Sequence, residues 1–276
     1  MAGMGELTTV AVLGIGEAGS EIVDDLLRAG ATVRAYDPAV AAPDGTVACR
    51  DEAEAAFGAD VVLSVNSAEA AIDALKAGLA TVRGTAPVWA DLNTAAPALK
   101  RELAAICEPA GVPFADVALM SPVPGKGLAT PALVCGAGAA RYARLLNPLG
   151  AKATVLDGPP GVAATRKLLR SVFYKGLAAA VVEALTAARM AGHEEWLRAN
   201  IVEELVAADG ASLARLEEGS RRHAVRRMVE MAAAADLLTE LGVPPRIASA
   251  ARDWLHQLAA DTPDGDPTSK DRAQDC

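Results

Sequence analysis

The sequence predicts an α/β domain built on a parallel β-sheet, followed by an all-α domain that a long helix joins to it. Short apolar segments alternate with helical ones through the first 157 residues, which is typical of βαβ units. From residue 162 onward a long proline-free segment and all later segments have helical spacing. Apolar residues make up 52% of the 276 residues but aromatic ones only 3%, which favours close-packed helices over an aromatic-filled β-sandwich.

The first region contains seven predicted strands, each followed by a turn or a helix. Strands are predicted over residues 9–13, 31–37, 59–67, 86–93, 112–120, 131–136 and 153–157. Helices are predicted over 14–30, 68–79, 97–107 and 139–150, the third of them opened by Pro97. Strands alternating with helices of this length indicate a sheet of parallel strands covered by helices.

The second region begins with a helix over residues 162–191, about 45 Å long at 1.5 Å per residue. Further helices are predicted over 194–208, 222–241 and 244–260, and the polar end of the chain is expected to fray. The predicted domains are therefore an α/β domain over residues 1–157 and a helical domain over residues 158–262. Residues 263–276 form a polar tail.

Composition and charge argue against several classes of protein. Lys and Arg total 26 against 35 Asp and Glu, and the net charge of −9 disfavours nucleic-acid binding. The first apolar run is too short for a membrane span and lacks the basic start of a signal peptide. The four cysteines and three histidines show no metal-site spacing. We therefore expect a soluble cytoplasmic protein with no metal, no membrane contact and no nucleic-acid partner.

A G-x-G-x-x-G motif, formed by Gly14, Gly16 and Gly19, lies between the first predicted strand and helix. In a dinucleotide-binding Rossmann domain the first glycine permits a tight turn, and the second lets the pyrophosphate approach the backbone. The third allows close packing of helix and strand. The free N–H groups at the start of the helix favour the phosphates. The alternative is a structural glycine turn without a ligand.

Asp37 follows Gly19 by 18 residues and ends the second predicted strand. A carboxylate at this position accepts hydrogen bonds from the adenosine ribose hydroxyls and repels a 2′-phosphate. The sequence therefore predicts NAD as the cofactor. NADP stays open because Arg34 is nearby.

The long helix begins with an unusual run of charge. Residues 158–182 contain no acidic residue, yet Arg166, Lys167, Arg170 and Lys175 all occur there. Cations in the first turns oppose both the helix dipole and one another, so an anion is expected to compensate them. A solvent-exposed basic face is the alternative, but its place beside a dinucleotide domain favours a small anionic or carbonyl substrate.

Four side chains of this helix share one face, because Lys167, Arg170, Ser171 and Tyr174 are spaced i, i+3, i+4 and i+7. Facing the nicotinamide, they are suited to hold a substrate carboxylate while Lys167 exchanges a proton with the reacting oxygen. We therefore predict Lys167 as general acid/base, with Ser171 orienting the oxygen.

Five segments of the chain, taken together, resemble the β-hydroxyacid dehydrogenases, which are relatives of 6-phosphogluconate dehydrogenase. They are GIGEAG at 14–19, ADVVLSVNS at 59–67, ADLNTAAP at 90–97, FADVALMSPVP at 114–124 and GPPGVAATRKLLRSVFYKG at 158–176. The segments KLLRSVFYKG and RRHAVRRMVEM are similar to a subgroup that joins the NAD-binding domain to an uncharacterised helical C-terminal domain. The resemblance implies a homodimer whose C-terminal helices pack around the partner.

The resemblance also implies roles for individual residues. The family's G-x-x-G-x-x-x-x-x-K segment is matched by Gly158, Gly161 and Lys167, so Lys167 is implied to be the catalytic lysine. Ser171 stands where the family has asparagine. The family's D-x-S-T strand end is approximated by Asp91, Asn93 and Thr94, and its S-G-G loop is replaced by Met120, Ser121 and Pro122.

The predicted site has three groups of residues. The cofactor group comprises Gly14, Ile15, Gly16, Glu17, Ala18, Gly19, Asp37, Val65, Asn66, Asn93 and Thr94. The substrate group comprises Ser121, Pro122, Arg170, Tyr174 and His223. The catalytic pair comprises Lys167 and Ser171.

Two further features leave alternatives open. The basic segment RRHAVRR at 221–227 is either a solvated or interface face, or a clamp for a substrate anion with His223 as a second acid–base group. The predicted function is hydride transfer between nicotinamide and a small hydroxy acid or related carbonyl compound. An imine or enamine reductase and a non-catalytic nicotinamide-binding sensor are the alternatives.

Overall fold

The computed structural model describes residues 8–82 and 86–261. The predicted polar tail at 263–276 and the first seven residues lie outside this range. The chain divides into two compact units, Met1–Ser171 and Val172–Cys276, which are described in turn. The predicted α/β region and the predicted helical region are both confirmed.

The first unit is built on an eight-stranded sheet in the order β3-β2-β1-β4-β5-β6-β7-β8. The strands are β1 Thr9–Leu13, β2 Thr32–Tyr36, β3 Val47–Ala48, β4 Val61–Ser64, β5 Val88–Asp91, β6 Phe114–Leu119, β7 Pro131–Cys135 and β8 Lys152–Val155. The chain runs outward from β1 to β3 and then crosses to β4 on the other side of β1. The carboxyl ends of β1 and β4 therefore flank the point where the strand order reverses, which is where such sheets bind ligands.

Helices cover both faces of the sheet. They are α1 Glu17–Arg28, α2 Glu52–Ala56, α3 Ala71–Leu79, α4 Pro97–Cys107 and α5 Ala139–Leu146. Successive residues of a strand point to opposite faces. In β1, Val10 and Val12 pack into the core beneath α1 and α5, whereas Ala11 and Leu13 pack into the core beneath α2, α3 and α4.

The sheet is parallel, as predicted, except at one pair of strands: β6 and β7 are antiparallel, with Val117 opposite Val134. Parallel neighbours need a crossover, usually a helix, whereas antiparallel neighbours can be joined by a loop. Residues 120–130 connect β6 and β7 with only a short 3₁₀ turn, Gly127–Ala129. The alternation of strands and helices is interrupted at this segment, and the direction of β7 follows from it.

In the first unit, two short elements were not predicted. Strand β3 has two exposed residues, and α2 has five residues capped by Asp51, whose carboxylate accepts a hydrogen bond from Glu54 N at 2.7 Å. Both are too short to show a clear hydrophobic period. They matter for the site because Glu52 of α2 lines the cleft at the carboxyl ends of the strands.

The second unit consists of helices alone. The long helix α6, Val162–Met190, begins in the first unit and ends in the second, and agrees with the prediction to one residue. It is followed by α7 Glu194–Ala207, α8 Gly210–Arg222, α9 Ala224–Glu240 and α10 Arg246–Ala260. A small core joins Ala187 of α6 to Leu238 of α9 and Ala248 of α10. The domain boundary at residue 158 stays a prediction.

Helix α10 is tied to α6 at its first turn. The carboxylate of Glu183 accepts hydrogen bonds from the backbone N–H groups of Ile247 and Ala248, both at 2.8 Å. These N–H groups have no partner inside their own helix, and an anion at this end also interacts favourably with the helix dipole. One carboxylate therefore fixes the start of α10.

Helix α3 packs unusually closely against the sheet, at Gly78. A methyl group there would lie 2.6 Å from two ring carbons of the buried Trp89 in β5. We expect Gly78→Ala to lower the free energy of unfolding by about 1–3 kcal/mol, since overpacking a core forces neighbours out of place. Urea denaturation measures this change.

Trp89→Phe supplies the matched control, because phenylalanine lacks the ring carbons that the new methyl meets. The double variant Gly78→Ala, Trp89→Phe is expected to be more stable than the sum of the two single changes by about 0.5–3 kcal/mol. Strict additivity would contradict the close contact.

Candidate nucleotide and substrate site

Two of the three glycines in the loop after β1 lie where a side chain would clash, and the third lies in open space. Gly14 has φ +98°, and a methyl group there would lie 2.7 Å from the carbonyl oxygen of Val65. A methyl group at Gly19 would overlap the carbonyl oxygen of Gly14, so α1 packs directly against the loop. A methyl group at Gly16 would meet no heavy atom within 4 Å, which leaves the outer face of this residue open to a ligand.

The first turn of α1 is suited to bind an anion. Gly16 is the N-cap residue and no side chain caps the helix, so the N–H groups of Glu17, Ala18 and Gly19 have no side-chain acceptor within the described residues. Such N–H groups, together with the positive end of the helix dipole, bind phosphate oxygens. The loop and the first turn thus fit the pyrophosphate of a dinucleotide.

Asp37, directly after β2, is bound to the same loop. Its carboxylate accepts hydrogen bonds from Ile15 N at 2.7 Å, Ala39 N at 2.8 Å and Val40 N at 3.0 Å. Partial burial raises the pKa of Asp37, but these three donors outweigh it and hold the pKa below its usual value. The side chain is therefore a fixed anion beside the glycine loop.

A cleft of about 400 Å³ opens at the carboxyl ends of β1, β2 and β4. Gly14, Gly16, Asp37, Val65 and Asn66 of the predicted cofactor group all line it. Among the described residues, those that line it include three carboxylates and neither lysine nor arginine. The carboxylates belong to Asp37, Glu52 and Asp73.

Arg34, which left the choice between NAD and NADP open, is held by backbone groups. Its guanidinium donates to the carbonyl oxygens of Glu54 at 2.7 Å and Ala55 at 3.2 Å. Arg34 does not line the cleft. The Arg34 guanidinium therefore binds the carbonyl groups at the end of α2.

Polar side chains at the ends of β4 and β5 form a connected group beneath the cleft. The amide nitrogen of Asn93 donates to Asn66 Oδ1 at 2.8 Å, Ser64 Oγ at 3.2 Å and Asp91 Oδ1 at 2.5 Å. The hydroxyl of Ser64 donates to Asn66 Oδ1 at 3.1 Å. Asn66 and Asn93, which the sequence assigned to the cofactor, are therefore in direct contact.

A buried charge network, consisting of Asp91, Lys100 and Asp116, lies next to this group and was not predicted. The Lys100 ammonium, 1% exposed, donates to Asp91 Oδ2 at 2.5 Å and lies 3.5 Å from Asp116 Oδ1. A signal existed in the sequence. Lys100 shares the buried face of α4 with Leu103 and Cys107, and both aspartates lie within otherwise apolar strands.

Asp116 extends the network to the start of α6. Its Oδ2 atom accepts hydrogen bonds from Gly161 N at 2.9 Å and Ala164 N at 3.2 Å. A carboxylate at this end stabilises the helix dipole. Asp116 therefore supplies an anion that the acid-free start of α6 requires, so the helix dipole alone no longer calls for an anionic ligand.

Lys167 and Thr94, predicted from separate motifs, are brought together. Lys167 Nζ donates a hydrogen bond to Thr94 Oγ1 at 2.7 Å, across 73 residues of sequence. One turn later the hydroxyl of Ser171 donates to the Lys167 carbonyl oxygen at 2.9 Å. The Ser171 oxygen can still accept a hydrogen bond, but its proton is used within the helix.

The loop after β6 carries the predicted Ser121 and Pro122, and also Lys126. Lys126 Nζ donates to Ser121 Oγ at 3.0 Å. Two acids of α1 hold this loop, because Gly125 N donates to Glu21 at 2.9 Å and Leu128 N donates to Asp25 at 2.7 Å. The loop thus places a further cation beside Ser121, which the sequence did not assign to the site.

The other predicted substrate residues lie on α6 and beyond it. Arg170 is exposed on α6, and Tyr174 and His223 belong to the second unit, so their part in the site stays a prediction. The basic segment at 221–227 finds partners nearby. Arg221 lies 4.0 Å from Glu217, Arg226 lies 3.4 Å from Glu230, and Arg227 donates to Ser220 at 2.7 Å. These pairs favour a solvated face over an anion clamp.

Neither a metal site nor a membrane span is found in the described residues. Within 8–82 and 86–261, no group of three His, Cys, Asp or Glu side chains is placed to hold a metal ion. No helix in those ranges is long and apolar enough to cross a membrane.

The Cys107 thiol is buried in the core of the first unit. Burial raises the pKa of this thiol to about 12, as expected of a cysteine in apolar surroundings.

Comparison with known proteins covers both parts of the chain. Residues 9–157 match the family described as the NAD binding domain of 6-phosphogluconate dehydrogenase. Residues 188–258 match a domain of unknown function, DUF1932. The resemblance drawn from the sequence motifs is thereby confirmed.

Among curated proteins, the chain is similar to the probable 3-hydroxyisobutyrate dehydrogenases of Mycobacterium bovis and Mycobacterium tuberculosis. The identity is 27% over 194 residues, which cover 67% of this chain. The match spans 66% of the length of these relatives, slightly under two thirds.

Among solved structures, the chain is similar to a conserved hypothetical protein from Sinorhizobium meliloti. The identity is 30%, the TM-score 0.60, and the match covers 94% of this chain and 91% of that one. An imine reductase variant from Myxococcus stipitatus, in complex with NAD⁺, has 21% identity and a TM-score of 0.77, covering 91% and 93%. At 21% identity, the similarity to the imine reductase indicates a shared fold and nothing more.

Proposed function

The chain belongs to the family of the NAD-binding domain of 6-phosphogluconate dehydrogenase, and we propose that it is an NAD-dependent oxidoreductase of small hydroxy acids. The observation that carries the proposal is the 2.7 Å contact of Lys167 Nζ with Thr94 Oγ1. This contact supports a role for the Lys167 amine, close to the end of β5, as the general acid/base of the proposed reaction. The curated relatives direct attention to 3-hydroxyisobutyrate and similar 3-hydroxy acids as substrates.

We propose NAD rather than NADP because of the charge of the cleft. Asp37 is a fixed anion, Glu52 and Asp73 add two more, and no basic residue of the described chain lines the space. A 2′-phosphate would be repelled there, whereas ribose hydroxyls are good donors to carboxylates. Arg34, the residue that left NADP open, is bound to carbonyl groups of α2.

The protein's own residues have distinct proposed roles. The glycine loop and first turn of α1 hold the pyrophosphate, and Asp37 holds the adenosine ribose. Bound nicotinamide supplies the hydride acceptor or donor. Lys167 takes the proton of the substrate hydroxyl during oxidation, or returns it during reduction. The Ser171 oxygen accepts a hydrogen bond near the reacting group, and Ser121 with Arg170 binds the carboxylate of the substrate.

Removal of the amine tests its role directly. Lys167→Ala is expected to lower kcat for NAD⁺-dependent oxidation of 3-hydroxyisobutyrate by about 10²–10⁴-fold, the usual contribution of a general acid/base. NADH binding, measured by fluorescence, is expected to stay near that of the wild type. Lys152→Ala, on exposed strand β8, is the matched control. Turnover of Lys167→Ala equal to that of this control would refute the role.

Cofactor choice is tested with Asp37→Ser, which replaces the carboxylate with a neutral hydroxyl. We expect wild-type protein to bind NADH in preference to NADPH, and the variant to shift the ratio of the two dissociation constants by about tenfold towards NADPH, or ~1.4 kcal/mol. Equal binding of both cofactors by the wild type would contradict the assignment of Asp37.

A panel of substrates distinguishes the proposed function from the two alternatives, an imine reductase and a non-catalytic nicotinamide-binding sensor. Cyclic imines, carbonyl compounds and hydroxy acids are supplied with either cofactor, and nicotinamide absorbance is followed. Reduction of cyclic imines without oxidation of any hydroxy acid would favour an imine reductase. Two of the similar solved structures are imine reductases. Cofactor binding without turnover of any compound would favour a sensor.

The second unit supports a homodimer. In the described part of the chain, helices α7 and α8 have no buried residue, although α7 carries Trp196, Val202 and Val206, which are 67%, 56% and 82% exposed. Short helices owe most of their stability to packing, and an apolar surface of this extent marks an interface. We assign a second copy of the chain as the partner that covers α7. The cytoplasmic location stays a prediction from the sequence.

The dimer predicts a specific mass change. Sedimentation of the wild-type protein at micromolar concentration is expected to give twice the chain mass, and Val206→Asp to shift it towards one chain mass. Val155→Asp, at an exposed position of strand β8, is expected to leave the dimer intact. A monomeric wild type would overturn this proposal.

A further inference from the structure

We propose that the buried charge network of Asp91, Lys100 and Asp116 positions the two sides of the active site relative to each other. One side is Asn93, after β5, and the other is the first turn of α6, which leads to Lys167. The inference rests on the proposed function, since it concerns the placement of the groups that would act in that reaction. Lys100 and Asp116 are thereby positioning residues, because they act through Asn93 and α6.

The network fixes the orientation of the Asn93 side chain. Three acceptors surround its amide nitrogen: Asp91 Oδ1, Asn66 Oδ1 and Ser64 Oγ. The nitrogen is therefore committed to the interior. Within the described ranges no hydrogen bond is donated to the amide oxygen of Asn93, so this oxygen is the atom available to a ligand as an acceptor. Without the Asp91 carboxylate, the amide would lose its shortest hydrogen bond and could reverse.

The network also fixes the start of α6. Asp116 Oδ2 receives the N–H groups of Gly161 and Ala164, and Lys167 follows Ala164 by about one helical turn. A shift of the first turn of α6 would also move Lys167, because both belong to one continuous helix. The carboxylate of Asp116 thus determines how far along its axis, and at what rotation, α6 presents Lys167 to Thr94.

Lys100 joins the two carboxylates. Asp91 and Asp116 are opposite each other on the neighbouring strands β5 and β6, and both are 0% exposed. Two buried carboxylates at this spacing repel strongly unless a cation lies between them. The Lys100 ammonium contacts Asp91 through both Oδ2 and the backbone oxygen, and lies 3.5 Å from Asp116 Oδ1. A single cation therefore couples the strand end that carries Asn93 to the helix that carries Lys167.

Stability alone is a poor reason for this arrangement. Buried ion pairs are often no more stabilising than apolar residues of similar volume, because each charge must be removed from water. Here the three charges lie beside the carboxyl end of β5, where Asp91 ends the strand and Asp116 is opposite it within β6. The predicted Asn93 and Thr94 follow directly after this strand end. Asp116 Oδ1 has no hydrogen-bond donor in the described part of the chain and relies on the Lys100 charge. The arrangement is better explained by positional accuracy.

Four variants test the inference. Lys100→Met removes the joining charge, and Asp116→Ala removes the acceptor for α6. Asp116→Asn removes the charge but keeps an oxygen that can accept from Gly161 and Ala164. Leu103→Ala, on the same buried face of α4, is the matched control, because it opens a cavity without touching the network. For each variant we measure kcat and KM with 3-hydroxyisobutyrate and NAD⁺, the NADH dissociation constant, and the thermal midpoint.

Positioning predicts a specific pattern in these measurements. Lys100→Met and Asp116→Ala are expected to lose on the order of 10² in kcat, as displacement of a catalytic group by about 1 Å does. In both variants the fold-loss in kcat is expected to exceed the fold-change in the NADH dissociation constant. Asp116→Asn is expected to have a kcat between those of Asp116→Ala and the wild type. Leu103→Ala is expected to lower the thermal midpoint but to keep the wild-type kcat. The inference is wrong if kcat falls in all variants in proportion to the thermal midpoint, or if Asp116→Ala and Asp116→Asn are equally impaired.

Amide hydrogen exchange provides a readout that needs no turnover. Exchange at Gly161 and Ala164 is expected to be faster in Lys100→Met than in Leu103→Ala, because only the first releases Asp116. If the wild type oxidises no compound of the panel, the proposed function fails, and exchange then decides the positioning role. Equal exchange in the two variants would overturn it, and if Lys100→Met does not fold, the two Asp116 variants decide in the same way.

Discussion

The ammonium of Lys100, held between the buried carboxylates of Asp91 and Asp116, is the interaction on which the geometry of the first unit depends most. The two carboxylates occupy neighbouring strands at 0% exposure, and the Lys100 ammonium is the cation that lies within 4 Å of both. Through Asp91 the interaction reaches Asn93, and through Asp116 it reaches the start of α6. An electrostatic requirement in the core thus determines where the polar groups of the sheet edge are placed.

The cofactor cleft follows from a second constraint, the close approach of backbone atoms at the point where the strand order reverses. Gly19 lets α1 contact the loop, and Gly14 lets the loop contact Val65 after β4. Asp37 then binds Ile15 of the same loop, so one carboxylate both fixes the loop and faces the cleft. The hydrogen bonds that hold Asp37 in place also lower the pKa of its carboxyl group. The same carboxylate therefore stabilises the loop and is suited to accept hydrogen bonds from ribose hydroxyls.

Much of the fold was predictable because its signals are local. The limits of β1, α4 and α6 follow from apolar spacing, Pro97 and the long run without proline. The antiparallel direction of β7 and the short elements β3 and α2 depend on loop geometry and on contacts between distant residues, which periodicity does not report. The same holds for the site. The glycine loop and Asp37 are contiguous with their motifs, whereas the pairing of Lys100 with two aspartates needs three separate elements to meet.

The basic start of α6 shows how the structure changes an argument from sequence. A helix that opens with no acid and several cations requires an anion, and a ligand was the natural candidate. The structure supplies Asp116, from a strand 45 residues earlier, at the N–H groups of Gly161 and Ala164. The N–H groups at the start of α6 thus already have an anionic partner within the protein. Any attraction of Arg170 and Lys167 for an anionic ligand therefore comes from their own charges and not from the helix dipole. The case for an anionic substrate therefore rests on the placement of Lys167 beside Thr94, together with Lys126 beside Ser121.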